Sequence, residues 1–456
     1  MKFKMKINIL VAEIGSTTTV VNAFADIHSD RPRFLGQGQA PTSVSEGDVN
    51  IGLQGAIEDL KKNLKIDDFS YDEMLATSSA AGGLKMTVHG LVYDMTVRAA
   101  KEAALGAGAI IHKVTGGKLR RTDLKNIMEI KPNLILIAGG VDYGERETAL
   151  YNAELIADLD IDVPIIYAGN IENQDEIVEI FKGKPNKLYI VENVYPKIDQ
   201  LNIEPTRSVI QEAFEEHIIH APGMSRVREL VTGPIIPTPG AVMEASKLLQ
   251  ENIGDLITLD VGGATTDVHS VTEGSEEINR ILISPEPLAK RTVEGDLGVY
   301  VNMRNIVERI GKEELQKQLD GDVETLIETH KPIPDTPLAI QFVEILTLEA
   351  VLTAMNRHTG KLRHLYGPTG KKTLAEGKDL TNIKWIIGTG GALSRLPKRV
   401  DILKEIALRN KGDYLLPTPE AQILIDNHYI MASLGVLSKR YPEAALNLMK
   451  QSLMIE

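Results

Sequence analysis

From residue 7 to 14 the chain runs through apolar positions almost without interruption, turns at Gly15-Ser16-Thr17, and resumes a β-branched, apolar run over 18–24. That pattern predicts a β-hairpin. The plan recurs over 256–261, Gly262-Gly263-Ala264 and 265–271. Side by side, VAEIGSTTTV and TLDVGGATTDV each carry a carboxylate, Glu13 and Asp260, two residues before a glycine, Gly15 and Gly262. Downstream of each hairpin an apolar strand closes in paired glycines, LILIAGG over 134–140 and WIIGTGG over 385–391. The intervals from carboxylate to last glycine are nearly equal, and matched similarity at long period predicts a duplicated domain.

Strands over 163–168 and 187–191 alternate with helical patterns over 145–159 and 174–181, which predicts parallel strands with helices on their faces. The proline- and charge-rich stretch 203–239 reads as irregular and puts a lobe boundary near 234–239. Further helices are expected over 241–250, 293–310, 337–356, 397–408 and 420–438, and the basic, glycine-punctuated stretch 357–379 reads as a loop. The expectation is an α/β protein of two duplicated lobes with a cleft between them. It divides into a first lobe with additional α/β elements over 1–238, a second lobe over 239–420 and a connecting helix region over 421–456.

Composition narrows the chemistry. At 456 residues the chain has room for two or three domains. The absence of cysteine excludes disulfides, zinc–thiolate sites and cysteine-held iron–sulfur clusters, and fits a reducing, cytoplasmic setting. A net charge of −13 with no basic face argues against a nucleic-acid partner. The N-terminal alternation of lysine with apolar residues is that of a strand, Glu13 interrupts it, and no run of roughly 18 apolar residues is read anywhere, so neither a signal peptide nor a membrane partner is expected.

The hairpins are where chemistry concentrates. Glycine at a tight turn leaves backbone N–H groups unobstructed, and such a concavity receives phosphate oxygens. Ser16, Thr17, Thr18, Thr265 and Thr266 add hydroxyl groups beside Gly15, Gly262, Gly263 and Ala264. Carboxylates next to such a cradle can hold Mg2+ directly or through its waters. One glycine hairpin alone is an ordinary turn; two with matching carboxylates point to a nucleotide site. Other features carry less. GPTGKKT over 367–373 lacks a Walker loop's first glycine, Leu365 standing in its place, so it reads as an exposed basic loop. TSSAAGG over 77–83 has no local base to make a nucleophile and reads as close packing. The ten histidines show no metal-binding spacing.

These motifs resemble, in order, those of the actin-like ATPase superfamily that includes Hsp70 and sugar kinases. Residues 11–19 resemble its first phosphate motif, LDVGGATTDV over 259–268 its second, and IGTGGALSRLP over 387–397 its adenosine motif. The helix opened by Pro239-Gly240-Ala241 and the late helix with Ala432 and Gly435 look like its two connecting helices. The resemblance implies ribonuclease H-like lobes clamping Mg-ATP. Asp260 and Glu13 would hold Mg2+, Asp267 would orient the attacking water or bind on the γ-phosphate side, and Gly388, Gly390 and Gly391 would meet the adenosine. Glu13 departs from the family's usual aspartate. Its extra methylene moves the carboxylate by about one bond length, a scale that matters in catalysis, so the expectation is either slow hydrolysis or a metal held mainly by Asp260.

Cysteine-free, the chain is not an iron–sulfur dehydratase activator, and no room remains after 449 for an Hsp70 substrate domain. Through TSSAAGGLKM, RAAKEAALGAGA and LILIAGG as well as the ATPase loops, it resembles the MutL/GlmL family over nearly its whole length. That family accompanies coenzyme-B12-dependent glutamate mutase and related aminomutases. The resemblance implies an ATP-driven reactivating chaperone, able to form oligomers, whose partners are subunits of such a mutase. The alternative reading is a sugar-kinase-like phosphotransferase acting on a small molecule.

Overall fold

The computed structural model describes residues 5–15, 17–43, 48–79, 84–107, 109–219, 224–367, 370–410, 412 and 414–455. Ser16 lies outside the described residues, as do 80–83 of TSSAAGG and 368–369 of GPTGKKT.

β1 (Met5–Ile14) and β2 (Thr18–Ala25) form the expected hairpin, and β3 (Arg33–Pro41) extends it antiparallel. β4 (Phe69–Ser78) lies parallel to β1 on its other side. The chain then builds a separate, wholly parallel sheet from β5 (Lys85–Gly90), β6 (Ile110–Gly116), β7 (Leu134–Ile137), β8 (Ile165–Tyr167) and β9 (Leu188–Ile190), in the order β6-β5-β7-β8-β9. It returns through β10 (Ile235–Pro237), parallel to β4, so the first sheet reads β10-β4-β1-β2-β3.

The second lobe repeats this plan. β11 (Leu256–Val261), β12 (Thr266–Val271) and β13 (Ala289–Glu294) are successively antiparallel. After a basic hairpin of β14 (Lys361–Gly367) and β15 (Gly370–Glu376), β16 (Trp385–Thr389) and β17 (Gln422–Ile425) add in parallel, giving β13-β12-β11-β16-β17. Three antiparallel strands with two parallel strands beyond the first is one topology used twice. This is the duplicated, ribonuclease H-like architecture of actin-like proteins.

Between the sheets lie two crossing helices, Thr238–Ile253 and Met431–Ser438. They approach so closely that an added Cβ at Gly435 would stand 1.8 Å from the Ala241 carbonyl oxygen. Both sheets bury one face against this helical layer, and strand parity decides what each face carries. On β1, Leu10, Ala12 and Ile14 enter the first lobe's own core, whereas Ile9 and Val11 enter the helical layer. Glu13 shares their parity. On β11 and β12, Ile257, Leu259, Val261 and Val268 face the second lobe's core, and Leu256 and Val271 face the helices. Asp260 and Asp267 fall on that helical face too, which brings all three carboxylates to one layer.

Several expectations are corrected. The counterpart of β16 is β4, since each pairs parallel with the first strand of its hairpin; LILIAGG belongs to the separate parallel sheet. An apolar run ending in paired glycines marks any buried parallel strand, so equal spacing misled. The stretch 203–239 is not irregular: helices Glu204–Ile219 and Met224–Leu230 occupy most of it. The expected helix over 293–310 is helical only at Met303–Ile310; its first two residues end β13 and a turn follows them. The loop over 357–379 is the β14–β15 hairpin, whose largely exposed side chains lack hydrophobic alternation. The expected helix over 420–438 is β17 followed by the second crossing helix, so the C-terminal stretch completes the second sheet. Helix Pro337–His358 is long and apolar enough to cross a bilayer by length and composition, contrary to the sequence reading. Here its Phe342, Leu346, Ala350 and Ala354 are buried in the second lobe's core.

Because no side chain fits between the crossing helices at Gly435, Gly435→Val should cost about 3 kcal/mol or more through overpacking. Chemical denaturation measures this, and a loss below about 1 kcal/mol would mean that the helices can separate freely.

Candidate functional site

The two hairpins close with the same bond: Gly15 N donates to Thr18 O, and Gly262 N to Thr265 O, each at 3.0 Å. At Gly15 a Cβ would stand 2.6 Å from Thr18 O, so the first turn needs glycine. The tips face one another, since a Cβ on Gly263 would lie 3.8 Å from Thr17 Oγ1. The second loop is braced from outside. Val299 N donates to Gly262 O at 3.2 Å, Tyr300 N and Val301 N to Gly263 O at 2.9 and 2.7 Å, and Asn302 Nδ2 to Ala264 O at 2.8 Å. With its carbonyls so occupied and Gly262 N closing the turn, the loop has the amides of Gly263 and Ala264 left to offer a ligand.

A cleft of about 300 Å³ lies between the tips. Glu13, Gly15, Thr17, Thr18, Asp260, Gly262, Gly263, Ala264, Thr265, Asp267 and Gly391 all line it, as does an apolar wall that includes Val299, Tyr300, Ile333 and Leu396. Three residues singled out in the sequence do not. Thr266 turns into the second lobe's core, its Oγ1 donating to Leu297 O at 2.7 Å. Gly388 packs against Leu403 and Leu393. Gly390, at φ +81°, lies against Asp260, whose Oδ1 would be 2.4 Å from an added Cβ.

The carboxylates differ in their surroundings. Asp267 stands directly opposite Asp260 across β11 and β12, whereas Val20 occupies the equivalent place opposite Glu13. Buried Arg291 donates to Asp267 Oδ1 at 3.0 Å, and Thr265 Oγ1 to Oδ2 at 3.2 Å. Among the described residues Asp260 has no such partner: burial, then the charges of Asp267 and Asp426, push its carboxyl up to about 7 against the pull of Arg291. Burial also pushes Glu13 up to about 7, with Asp426 and Asp260 adding to the effect and hydrogen bonds from Ser433 opposing it. Glu13 Oε1 accepts from Ser433 N at 3.0 Å, from Ser433 Oγ, and from Asn22 Nδ2 at 3.3 Å. The first hairpin's carboxylate thus caps the second crossing helix, a reach that the longer glutamate provides. Asp426 caps the same helix from the second lobe, accepting from Ile430 N and Met431 N at 2.9 Å each.

Among the described residues no three histidines or carboxylates converge as a metal centre by themselves. An unpaired Asp260 beside a phosphate-sized cradle nevertheless fits Mg2+, an ion commonly held by one or two carboxylates together with substrate phosphates. Sequence reading missed Arg291, Asp426 and Ser433. Asp426 left a signal, a carboxylate closing the apolar strand QILI; a lone arginine on a strand leaves none.

The MutL protein family model matches residues 9–453. Protein MutL of Clostridium tetanomorphum is 38% identical over 459 aligned positions, spanning 97% of this chain and 98% of that one. Among solved structures, nucleotide-free acetone carboxylase aligns at TM-score 0.44 and 13% identity, over 95% of this chain and 70% of its own. Nucleotide-free diol dehydratase-reactivating factor aligns at TM-score 0.36 and 10% identity, over 95% and 99%. Matched from one end to the other by the family model and by a relative of this identity, the chain belongs to the MutL protein family.

Proposed function

We propose that this chain binds Mg-ATP between its hairpins, hydrolyses it slowly, and uses the resulting lobe motion to free inactive cobalamin from a coenzyme-B12-dependent mutase of the glutamate mutase or aminomutase type. The observation that carries the ATPase half is the tip-to-tip pair of glycine hairpins with Asp260 and Asp267 opposed between them. Family membership, with the role the sequence resemblance implies, supports the partner half.

Bound Mg2+ would neutralise phosphate charge, held by Asp260 and by the Glu13 oxygen that the helix cap leaves free. The amides of both hairpins cradle the phosphates, and the apolar wall beside Tyr300 and Leu396 receives the base. Asp267 orients the attacking water. Its ion pair with Arg291 fixes the carboxylate's direction. Glu13 caps the second crossing helix, so occupancy of the cleft bears directly on the layer about which the lobes close. Phosphotransfer to a small molecule is the competing chemistry; here the labelled γ-phosphate should appear only as inorganic phosphate, and a phosphorylated organic product would favour the kinase reading.

Asp267→Asn should lower ATP turnover by about 100-fold or more while changing nucleotide affinity only a few-fold. Undiminished turnover removes Asp267 from the water-orienting role. Folded-state carboxyls raised to about 7 bind more protons than the unfolded chain does, so their stabilisation is complete below about pH 4 and is lost as pH rises through about 7. The melting temperature of nucleotide-free protein should therefore fall between about pH 5 and pH 8, and Glu13→Gln should flatten that fall. A Glu13→Gln profile parallel to wild type would show that Glu13 does not titrate there. Finally, a mutase inactivated with hydroxocobalamin should recover with this chain, ATP and fresh adenosylcobalamin, but not with ADP. Failure to recover with every cognate mutase, despite ATP hydrolysis, would end the reactivase reading.

A further inference from the structure

The parallel sheet β6-β5-β7-β8-β9 takes no part in the nucleotide cleft. In open α/β sheets a ligand crevice lies beyond the carboxyl ends of the strands where the order reverses, here between β5 and β7. On the β7 side of that point the loops are stapled together: Asn193 Nδ2 donates to Gly140 O at 3.1 Å and to Asp142 Oδ1 at 2.9 Å. Tyr143 N donates to Asn170 Oδ1 at 3.1 Å, and Ile171 N to Asp142 Oδ1 at 3.0 Å. A Cβ on Gly169 would lie 2.9 Å from Gly139 backbone atoms, leaving no space for a ligand between those loops.

What this edge presents outward is apolar. Tyr143 is 78% exposed and is held at φ +62°, a conformation that a bulky residue keeps only when its surroundings impose it. Tyr93 is 60% exposed, and Val92 and Ile171 are exposed as well. Residues 92 and 93 follow β5, 143 follows β7 and 171 follows β8, three successive strands of one sheet, so these side chains share a rim. Around them Asp94, Glu145, Glu147 and Glu172 are exposed, while Arg146 is occupied by Asn173 Oδ1 and the Glu172 carbonyl.

We propose that this rim is the surface on which the client protein docks, with Tyr143 as anchor, and that the client offers an apolar centre bordered by lysine and arginine. The client's identity rests on the reactivase reading above. An aromatic centre with a charged border is the anatomy of a protein interface. A second copy of this chain is the poorer occupant, because a two-fold contact would set the acidic border against itself. One element joins the rim to the hydrolytic site. The π turn Tyr93–Val97 continues without a break as helix Arg98–Gly106. That helix is tied to the second lobe by Arg98 to Ser284 and Glu286, by Glu102 to Lys290 at 3.8 Å, and by the Leu105 carbonyl, which accepts from Arg291 at 3.0 Å. Arg291 in turn holds Asp267. A client that moves the rim therefore acts through one rigid helix on the group that orients water.

The test titrates the full-length chain with hydroxocobalamin-inactivated glutamate mutase and follows both binding and ATP turnover. Tyr143→Ser and Glu172→Lys should each weaken binding about tenfold and blunt client-stimulated turnover, with basal turnover held within about twofold. Leu408→Ser, at a 66% exposed position on the second lobe, should bind as wild type does. Undiminished affinity in both rim variants overturns the proposal. So does a rim variant that abolishes self-association while the mutase still binds. If wild type itself binds no mutase, the reactivase reading falls and the client assignment with it, an outcome distinguished by the silence of the wild-type titration.

Discussion

Everything in this molecule hangs on how closely two short helices cross. With Gly435 against the Ala241 backbone, the helical layer between the sheets is thin, and each sheet must bury its inner face against the same narrow stack. Strand parity then does the rest. A carboxylate placed two residues beyond the last helix-facing apolar side chain, as Glu13 follows Ile9 and Val11, arrives at the edge of that stack, where the helices end and the cleft begins. Repeating the topology brings Asp260 and Asp267 to the same edge from the other side. The charged site is thus a consequence of the packing, not an addition to it.

Gathering Glu13, Asp260, Asp267 and Asp426 in one buried region is unfavourable in isolation, since like charges out of water raise one another's pKa. The protein relieves this unevenly. Asp426 and Glu13 are spent on the amides of the second crossing helix, and Asp267 is paired with Arg291, which leaves Asp260 uncompensated. A carboxylate left in that condition is a place where a cation and phosphate belong. Glutamate at position 13 fits this scheme: its extra length reaches Ser433, so one side chain joins the first hairpin to the helix of the second lobe.

Both hairpins, the duplication and the crossing helices were legible in the sequence, because glycine turns, strand periodicity and small residues each leave a local mark. What escaped depends on tertiary pairing. β4 was passed over as the partner of β1 because its first half is largely exposed and polar, whereas LILIAGG advertised itself as a buried strand and belongs to another sheet. The helix expected over 293–310 overran the last two residues of β13 and the turn after them. Within the site, spacing picked out hairpin residues that line the cleft, but it also picked Thr266, Gly388 and Gly390, which pack away from it. Arg291 and Ser433 act from distant parts of the chain and could be seen only once the fold had brought them in.

The central claim is that one nucleotide engages both hairpins at once and, through Glu13, the start of the second crossing helix. Amide hydrogen exchange with and without a non-hydrolysable Mg-ATP analogue tests it most directly. The account predicts added protection at Gly15, Thr17 and Thr18, at Gly262 to Thr265, and at Met431 to Ser433 over the same concentration range. Protection confined to a single hairpin, or absent from both, would contradict it.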